Sequence, residues 1–323
     1  MPTAGDQHVN ALLTNVAVAW YQKAKNFVAA QCFPVVPVEK QSDRYTVYDK
    51  GDLLRDEAQE RAPATESAGM DYDIDTSPNY YAPKYALHKD VDDDSRENAD
   101  KPMNPDRDAV RILMQKMMIK RERIWANSYI KAGLWTYDYA GVASGPGANQ
   151  FVKWSVSGSK PVKTVETWKN VIEESTGFTP NVLVLTPDVV VELKDNQDIL
   201  SRIQYTQRGI ITPEILASLF DVEKVLVPRG IYETAAKGAT SAPARIAGSG
   251  KALLCYATNT PSIDEPSAGY FFAWKGLFGA SAFGGRIKQF RVEVKAADRV
   301  EAEMAFDAKQ IAPDLGLFAS AVV

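Results

Sequence analysis

Residues 104–133 read NPDRDAVRILMQKMMIKRERIWANSYIKAG and predict the longest helix of the chain. Asn104 can cap the first turn, Pro105 suits the first helical position, and Gly133 is a residue type that commonly ends helices. At about 1.5 Å per residue, these roughly 28 residues would form a rod of about 40 Å, longer than most helices of globular proteins. One face is apolar, with Val110, Leu113, Met114, Met117, Ile124 and Trp125. The far face is strongly basic, with Arg107, Arg111, Lys116, Lys120, Arg121 and Arg123.

A region of mixed helices and strands follows this helix. Residues 182–185 read VLVL, a continuous apolar run typical of a strand that is buried on both faces. Residues 225–227 and 252–256 predict further inner strands. Helix boundaries are indicated by Gly177, Thr186-Pro187-Asp188 and Thr212-Pro213. Because helices and strands alternate here without a strict βαβ rhythm, their order predicts an α+β fold.

The clearest strand signals lie near the C-terminal end. Residues 290–294 and 300–306 alternate apolar and charged side chains with a period of two. Ala296-Ala297-Asp298 would form the turn between them. The pattern therefore predicts an antiparallel strand pair that closes the fold.

Residues 44–90 are the least usual part of the chain. Residues 44–48 alternate weakly as a strand, residues 85–88 could be the return strand, and a long polar stretch lies between them. An insertion of this length in a compact domain is uncommon and tends to be functional. A projecting hairpin cannot bury its own aromatic side chains. The segment is therefore predicted to dock on another molecule, with an ordinary surface loop as the alternative.

The N-terminal 43 residues predict an arm. Apolar side chains recur at spacings of three and four and would form one stripe of a helix, with Val9, Leu12, Leu13, Val16 and Trp20. Pro34 and Pro37 then favour extended backbone. An amphipathic helix followed by an extended strap needs a surface on which to lie.

The overall composition is that of an ordinary globular protein, with 323 residues, of which 45% are hydrophobic and 24% charged. No apolar run approaches the about 20 residues that span a bilayer, and no basic region precedes the apolar stretch 11–20, so neither membrane insertion nor a secretory signal is expected. The formal net charge of −4 lacks the basic excess of a nucleic-acid-binding protein. Cys32 and Cys255 have no metal-ligand spacing and are expected to be reduced thiols.

Three patterns that could carry chemistry fall short of a site. Residues 247–252 read AGSGKA, but Arg245 and Ala252 stand where a phosphate-binding loop needs its first glycine and its Ser or Thr. The acidic run 90–94 lacks the glycine and the terminal glutamate of a calcium loop. His88 has no neighbouring nucleophile signature. The sequence therefore predicts no catalytic residue, no metal, no cofactor and no enzymatic activity.

Taken in order, the arm, the extended segment, the long helix, the mixed region and the closing strands resemble the major capsid proteins of tailed bacteriophages. Their Hong Kong 97 type fold is shared with encapsulins. Short sequence segments also resemble this family: TGFTPNVLVL at residues 176–185, and ILASLF at 215–220 before VLV at 225–227. The resemblance implies an N-terminal arm (1–43), an extended loop (44–90), a peripheral domain (91–163) with a spine helix (about 104–132), an axial domain (164–285), and a closing strand pair with a C-terminal return (286–323).

The resemblance implies a structural role. In that family the arm and the extended loop reach across neighbouring subunits, which agrees with the apolar groups that neither segment can bury alone. We therefore expect pentamers and hexamers in a closed icosahedral or prolate shell, which encloses double-stranded DNA without sequence-specific binding. The expected location is the virion, and the host cytoplasm during assembly. Some family members carry an N-terminal scaffolding region that a protease removes; because the arm helix starts almost at once here, we expect a separate scaffolding protein, or none. The other expected partners are a portal protein and decoration proteins.

Contact residues can be predicted only from residue type. Because large aromatic side chains dominate interface energies, Trp20, Tyr72, Tyr80 and Tyr81 are predicted to contact neighbouring subunits. Some family members cross-link subunits through Lys–Asn isopeptide bonds, and Lys50 is the loop lysine for such a role, although no partner Asn can be placed. Two alternatives stay open: an encapsulin-type compartment around a cargo enzyme, and an unrelated α+β enzyme.

Overall fold

The computed structural model describes residues 21–99, 103–203, 211–261, 265–276 and 285–323. Helices lie at Ala29–Cys32 (α1), Lys50–Leu53 (α2), Asp93–Glu97 (α3), Pro105–Tyr129 (α4), Pro161–Thr176 (α5), Pro187–Asp195 (α6), Gln197–Ile203 (α7) and Pro213–Phe220 (α8). Strands lie at Val35–Val38 (β1), Ser42–Arg44 (β2), Val47–Tyr48 (β3), Ile74–Asp75 (β4), Asn79–Tyr81 (β5), Lys84–Asp92 (β6), Tyr137–Val142 (β7), Gln150–Val152 (β8), Val182–Leu185 (β9), Lys224–Leu226 (β10), Ile231–Glu233 (β11), Pro243–Arg245 (β12), Ala252–Cys255 (β13), Gly269–Trp274 (β14), Arg286–Val292 (β15), Ala297–Gln310 (β16) and Gly316–Ser320 (β17).

The spine helix is α4, and its start is the one predicted. The Asn104 side chain accepts a hydrogen bond from the Arg107 amide at 3.0 Å, and Pro105 occupies the first turn. The helix ends at Tyr129, slightly before the predicted end, because the Tyr129 carbonyl accepts the indole N–H of Trp135 at 2.9 Å. In a longer helix the Gly133 amide would donate to the Tyr129 carbonyl, but it donates to the Asp138 carboxylate instead.

The spine helix lies against a five-stranded sheet in the order β1-β14-β16-β15, with β6 also paired to β16. The 14-residue strand β16 is the centre of this sheet, since both β15 and β6 run antiparallel to its first half and β14 to its second. The closing pair predicted from the sequence is therefore present. Its turn is formed by Glu293–Lys295 and by Ala296 at φ 43°, whereas Ala297, predicted to lie in the turn, already belongs to β16.

A six-stranded sheet in the order β10-β9-β13-β17-β7-β8 forms the second core. Val182 and Val184 of β9 face the core beneath the spine helix, while Leu183 and Leu185 pack among α5, α6, α7 and α8. Because this strand is covered on both sides, every residue of it is buried, as the run VLVL predicts. Gly177 ends α5 in the left-handed conformation at φ 76°, which glycine adopts readily.

The chain passes back and forth between the two sheets, so that strands from one predicted domain range pair in the sheet of the other. β7 and β8, within the range predicted as peripheral, pair in the six-stranded sheet, and β17 joins them. β14, within the range predicted as axial, pairs with β16 of the peripheral sheet. The predicted domain ranges thus divide the chain by sequence, while hydrogen bonding connects strands across those boundaries.

Within the residues that the structure describes, no helix combines the length and the apolar character needed to cross a bilayer.

Candidate self-association surface

The extended loop is built on a two-part antiparallel stem. β2 pairs with β5, Ser42 opposite Tyr81, and β3 pairs with β4, Val47 opposite Asp75. The return partner predicted from sequence, residues 85–88, lies instead in β6 and pairs with β16. Pro83 explains the difference, because it lacks an N–H and separates the stem strand β5 from β6.

The stem is fixed to the sheet face opposite the spine helix. The ring of Tyr80 stacks on Phe272 of β14 at 4.7 Å between centroids, and the ring of Tyr45 stacks on the same side chain at 5.5 Å. The Tyr81 amide donates to the Asp307 carboxylate at 3.0 Å. The base of the loop is therefore part of the subunit core.

Residues 49–73, here called the loop tip, behave differently. The tip is ordered from within: Asp49 caps α2 by accepting from the Gly51 amide, and the Asp73 amide donates to the Asp52 carboxylate. The tip nevertheless exposes large apolar side chains, with Leu53 and Leu54 each 64% exposed, Met70 69% and Tyr72 50%. Several large exposed apolar side chains in one segment are a feature of surfaces that bind other proteins.

The predicted contact residues are placed unequally. Tyr72 is exposed and lies 6.0 Å from Tyr48 between ring centroids, and Tyr81 is 57% exposed. Tyr80 is only 6% exposed, because it is the residue that stacks within its own subunit. Trp20 lies outside the described residues. The prediction from residue type did not include Leu53, Leu54 and Met70, which the structure shows to be more exposed than Tyr72.

A buried carboxylate joins β6, the strand that follows the loop, to the sheet. Glu303 of β16 is 2% exposed and forms ion pairs with Arg286 at 2.6 Å, with Lys288 at 2.7 Å and with Lys84, the first residue of β6. Burial alone would raise the pKa of Glu303, but hydrogen bonds from Lys288, Lys84 and Arg286 outweigh burial and hold that pKa well below its usual range. Glu303 therefore connects β6 and β15 to β16.

A second buried carboxylate holds the root of the arm. Glu122 of the spine helix accepts hydrogen bonds from the amides of Val28 and Ala29, both at 2.9 Å. Burial raises the pKa of Glu122 above its usual value, and the two amides and Arg121 only partly oppose this. Phe27 and Phe33 are buried at the same root, whereas Tyr21 is 40% exposed. Gln22 also hydrogen-bonds Gln115 of the spine helix and Ile231, so the arm is tied to its own subunit from residue 22 onward.

Charge is distributed unevenly between these elements. The loop tip carries eight acidic and three basic side chains. The exposed charges of the spine helix are all basic: Arg107, Arg111, Lys116, Lys120 and Arg123. Lys120 lies 5.0 Å from the ring centre of Tyr85, and Arg123 lies 4.5 Å from that of Tyr232. The loop tip and the exposed face of the spine helix therefore carry opposite net charges.

The residues that could suggest chemistry make structural contacts instead. They contain no cluster of His, Cys, Asp and Glu side chains that could hold a metal ion. At the glycine-rich turn, the Gly250 amide donates to the Asp188 carboxylate and Lys251 Nζ to the Ile130 carbonyl at 3.3 Å, so an acid occupies the place a phosphate would need. Cys32 and Cys255 are buried free thiols, as expected.

Comparison with known proteins identifies the fold. No model of a known protein family matches the chain. The chain is 27% identical over 224 residues to the major capsid protein of Burkholderia phage BcepMu, and this alignment covers 69% of the chain and 70% of the relative. A solved phage-related protein from Bordetella bronchiseptica is similar with a TM-score of 0.69 and 19% identity over 94% of each chain.

Two further solved structures share the architecture. The SrpI encapsulin of Synechococcus elongatus has a TM-score of 0.57 and 13% identity, and the match covers 97% of this chain and 95% of that one. The capsid of cyanophage P-SCSP1u has a TM-score of 0.58 and 10% identity, with 95% and 90% covered. The predicted α+β class, the Hong Kong 97 type capsid fold and the resemblance to phage major capsid proteins are thereby confirmed. The curated relative and the cyanophage structure are named as capsid proteins, which agrees with the prediction that the chain is not an enzyme.

Proposed function

We propose that this chain is the major capsid protein of a tailed bacteriophage, a subunit that self-assembles into the shell of the head. The observation that carries the proposal is the loop tip, which exposes Leu53, Leu54, Met70 and Tyr72 on a capsid fold. A subunit that leaves such a group uncovered has its partner surface elsewhere, and in a closed homo-oligomer that surface belongs to another copy.

The contact we propose is between the loop tip of one copy and the peripheral domain of the next. The tip brings apolar side chains and a net acidic charge, and the exposed face of the spine helix brings cations. Tyr72 and Tyr81 are the aromatic residues we assign to this interface, and Trp20 is assigned to the contact of the arm. Tyr80 serves the interface indirectly by fixing the stem.

Modest single contacts are sufficient for a stable shell. A subunit that is held by a loop, an arm and the edges of its own domains cannot dissociate until all of these contacts open together. This multivalency stabilises the closed particle, while each separate contact stays weak enough to form reversibly during assembly. Pentamers and hexamers of the same chain follow from such repeated contacts in an icosahedral or prolate head.

The enclosed cargo we propose is double-stranded DNA, held without sequence-specific contacts. The formal net charge of −4 favours a wall that does not adhere to phosphate over its whole surface. A portal protein, a separate scaffolding protein and decoration proteins are the further partners we propose. Assembly in the host cytoplasm would precede the mature virion.

An encapsulin-type compartment is the second candidate, because the encapsulin structure is as similar in fold as the cyanophage capsid. The curated relative is a phage major capsid protein, which favours the first candidate. The contents of the particle distinguish the two: phage heads enclose DNA, and encapsulins enclose a cargo protein.

Electron microscopy of the purified full-length chain, expressed alone and together with a candidate scaffolding protein, tests the proposal. We expect uniform closed shells or capsomers. A test variant with Leu53→Ser and Leu54→Ser should remain folded, because both side chains are exposed. It should form far fewer shells than the wild type. A wild-type protein that stays a small monomeric particle under all conditions would contradict the proposal.

A further inference from the structure

Lys50, at the start of the loop tip, is bound to the body of its own subunit. Its Nζ lies 2.5 Å from Oδ2 of Asp314, which belongs to the short turn before β17. The hydroxyl of Thr136 donates to the other carboxylate oxygen of Asp314 at 2.6 Å. Asp314 is therefore held in place by a neighbour on its own domain and presents a free oxygen to the loop.

This ion pair is an isolated connection. Among the described residues, every other hydrogen bond or ion pair made by residues 49–73 stays within the loop, as for Asp49 with Gly51 and Asp52 with Arg55. Tyr80 fixes the stem below the tip. The direction of the tip relative to the subunit therefore depends on the contacts that residues 49–73 themselves make. Among the described residues, the Lys50–Asp314 ion pair is thus the polar contact that joins the loop tip to the body of the subunit.

The strength of the pair suits a reversible contact. The side chain of Lys50 is 45% exposed and that of Asp314 is 36% exposed, so water and salt reach both groups. Exposed ion pairs of this kind change an equilibrium by about fivefold at most. The hydrogen bonds from Lys50 and Thr136 lower the pKa of Asp314, which keeps the carboxylate charged. The pair can bias the tip without preventing its release.

We propose that the Lys50–Asp314 pair is a latch that holds the extended loop against its own subunit before assembly and opens when the tip reaches a second copy of this chain. This inference rests on the proposed function. It also gives Lys50 a role that needs no isopeptide bond.

Pulsed electron–electron distance measurement on the unassembled chain tests the latch. Spin labels at Ser67→Cys in the loop tip and Ser201→Cys in the axial domain report the pose of the loop, because both positions are exposed and the native cysteines are buried. Labelled chains are diluted with unlabelled chains so that only distances within one subunit contribute. The variants are Lys50→Gln, Asp314→Asn and the charge reversal Lys50→Asp with Asp314→Lys. Lys40→Gln is the matched control, since Lys40 forms an exposed ion pair with Asp43 at 3.0 Å.

We expect one dominant distance between the two labels in the wild type and in Lys40→Gln. In the two single variants, the ratio of chains at this distance to chains at other distances should fall by up to about fivefold. The charge reversal should restore it, and high salt should remove the difference between wild type and variants. Unchanged distances in the single variants, or no restoration in the reversal, would overturn the latch. If the distances follow the expectation but no shell forms, the proposed function fails instead, so the two failures are distinguishable.

Discussion

At the scale of single residues, two buried glutamates tie the loop and the arm to the subunit, and they respond to pH in opposite directions. Glu303 lies among three cations, and its pKa is lowered. Glu122 lies among backbone amides, and its pKa is raised by burial. The difference arises from the partners, because full positive charges outweigh desolvation and two N–H dipoles do not.

Glu122→Gln is predicted to destabilise the subunit more in acid than at neutral pH. A raised pKa means that the folded state binds the proton more tightly, so this contribution to stability is complete below the ordinary glutamate pKa of about 4.3 and is lost as pH rises through the raised value. The glutamine cannot accept from both amides, which costs about 1–3 kcal/mol. Denaturant unfolding at pH 4 and pH 7 measures the deficit, which should shrink at pH 7; a deficit that grows there would contradict this assignment.

Glu303→Gln is predicted to show the reverse. A lowered pKa gives a contribution that is present above the ordinary glutamate pKa and is lost as pH falls through the folded value. At pH 7 the loss of the charge should cost about 1–3 kcal/mol in the free energy of unfolding, and the deficit should shrink in acid. Glu293→Gln, whose side chain is 85% exposed at the turn of the same sheet, is the control and should change little. Equal losses in the free energy of unfolding at pH 7 and at a pH well below the ordinary glutamate pKa would exclude the ion-pair cluster as the cause.

At the scale of elements, the spine helix and the inner strands could be predicted because their signals are local. Asn104, Pro105 and the run VLVL act through neighbours in the chain. The role of Glu122 could not be predicted, since its partner amide at Val28 lies 94 positions away. Tyr80 and Tyr81 look alike in sequence, yet successive strand residues point to opposite faces, so only one of them is exposed.

Tyr72→Ala and Tyr80→Ala are predicted to have opposite phenotypes. Tyr80 is buried on Phe272, so its removal should lower the free energy of unfolding of the isolated subunit by about 3–5 kcal/mol. Tyr72 is half exposed, so its removal should cost less than about 0.5 kcal/mol in the isolated subunit and should reduce the yield of shells. Thermal unfolding and light scattering during assembly measure the two effects. Normal assembly of Tyr72→Ala would remove this residue from the interface.

At the scale of the whole molecule, the described part of the subunit combines buried cores with a loop tip whose large apolar side chains are exposed. The cores beneath the spine helix and among the axial helices bury their apolar residues within the chain. The loop tip leaves its own apolar residues uncovered. In the proposed shell, contact between copies would bury this exposed surface, which folding of a single chain leaves uncovered.

The most direct test of this account is a reconstruction of the assembled particle by electron cryo-microscopy that traces the loop tip. We predict that Leu53, Leu54, Met70 and Tyr72 lie against the peripheral domain of an adjacent copy and that the distance between Lys50 and Asp314 of the same subunit has increased. A particle in which these side chains face solvent, or pack on their own subunit, would contradict the account.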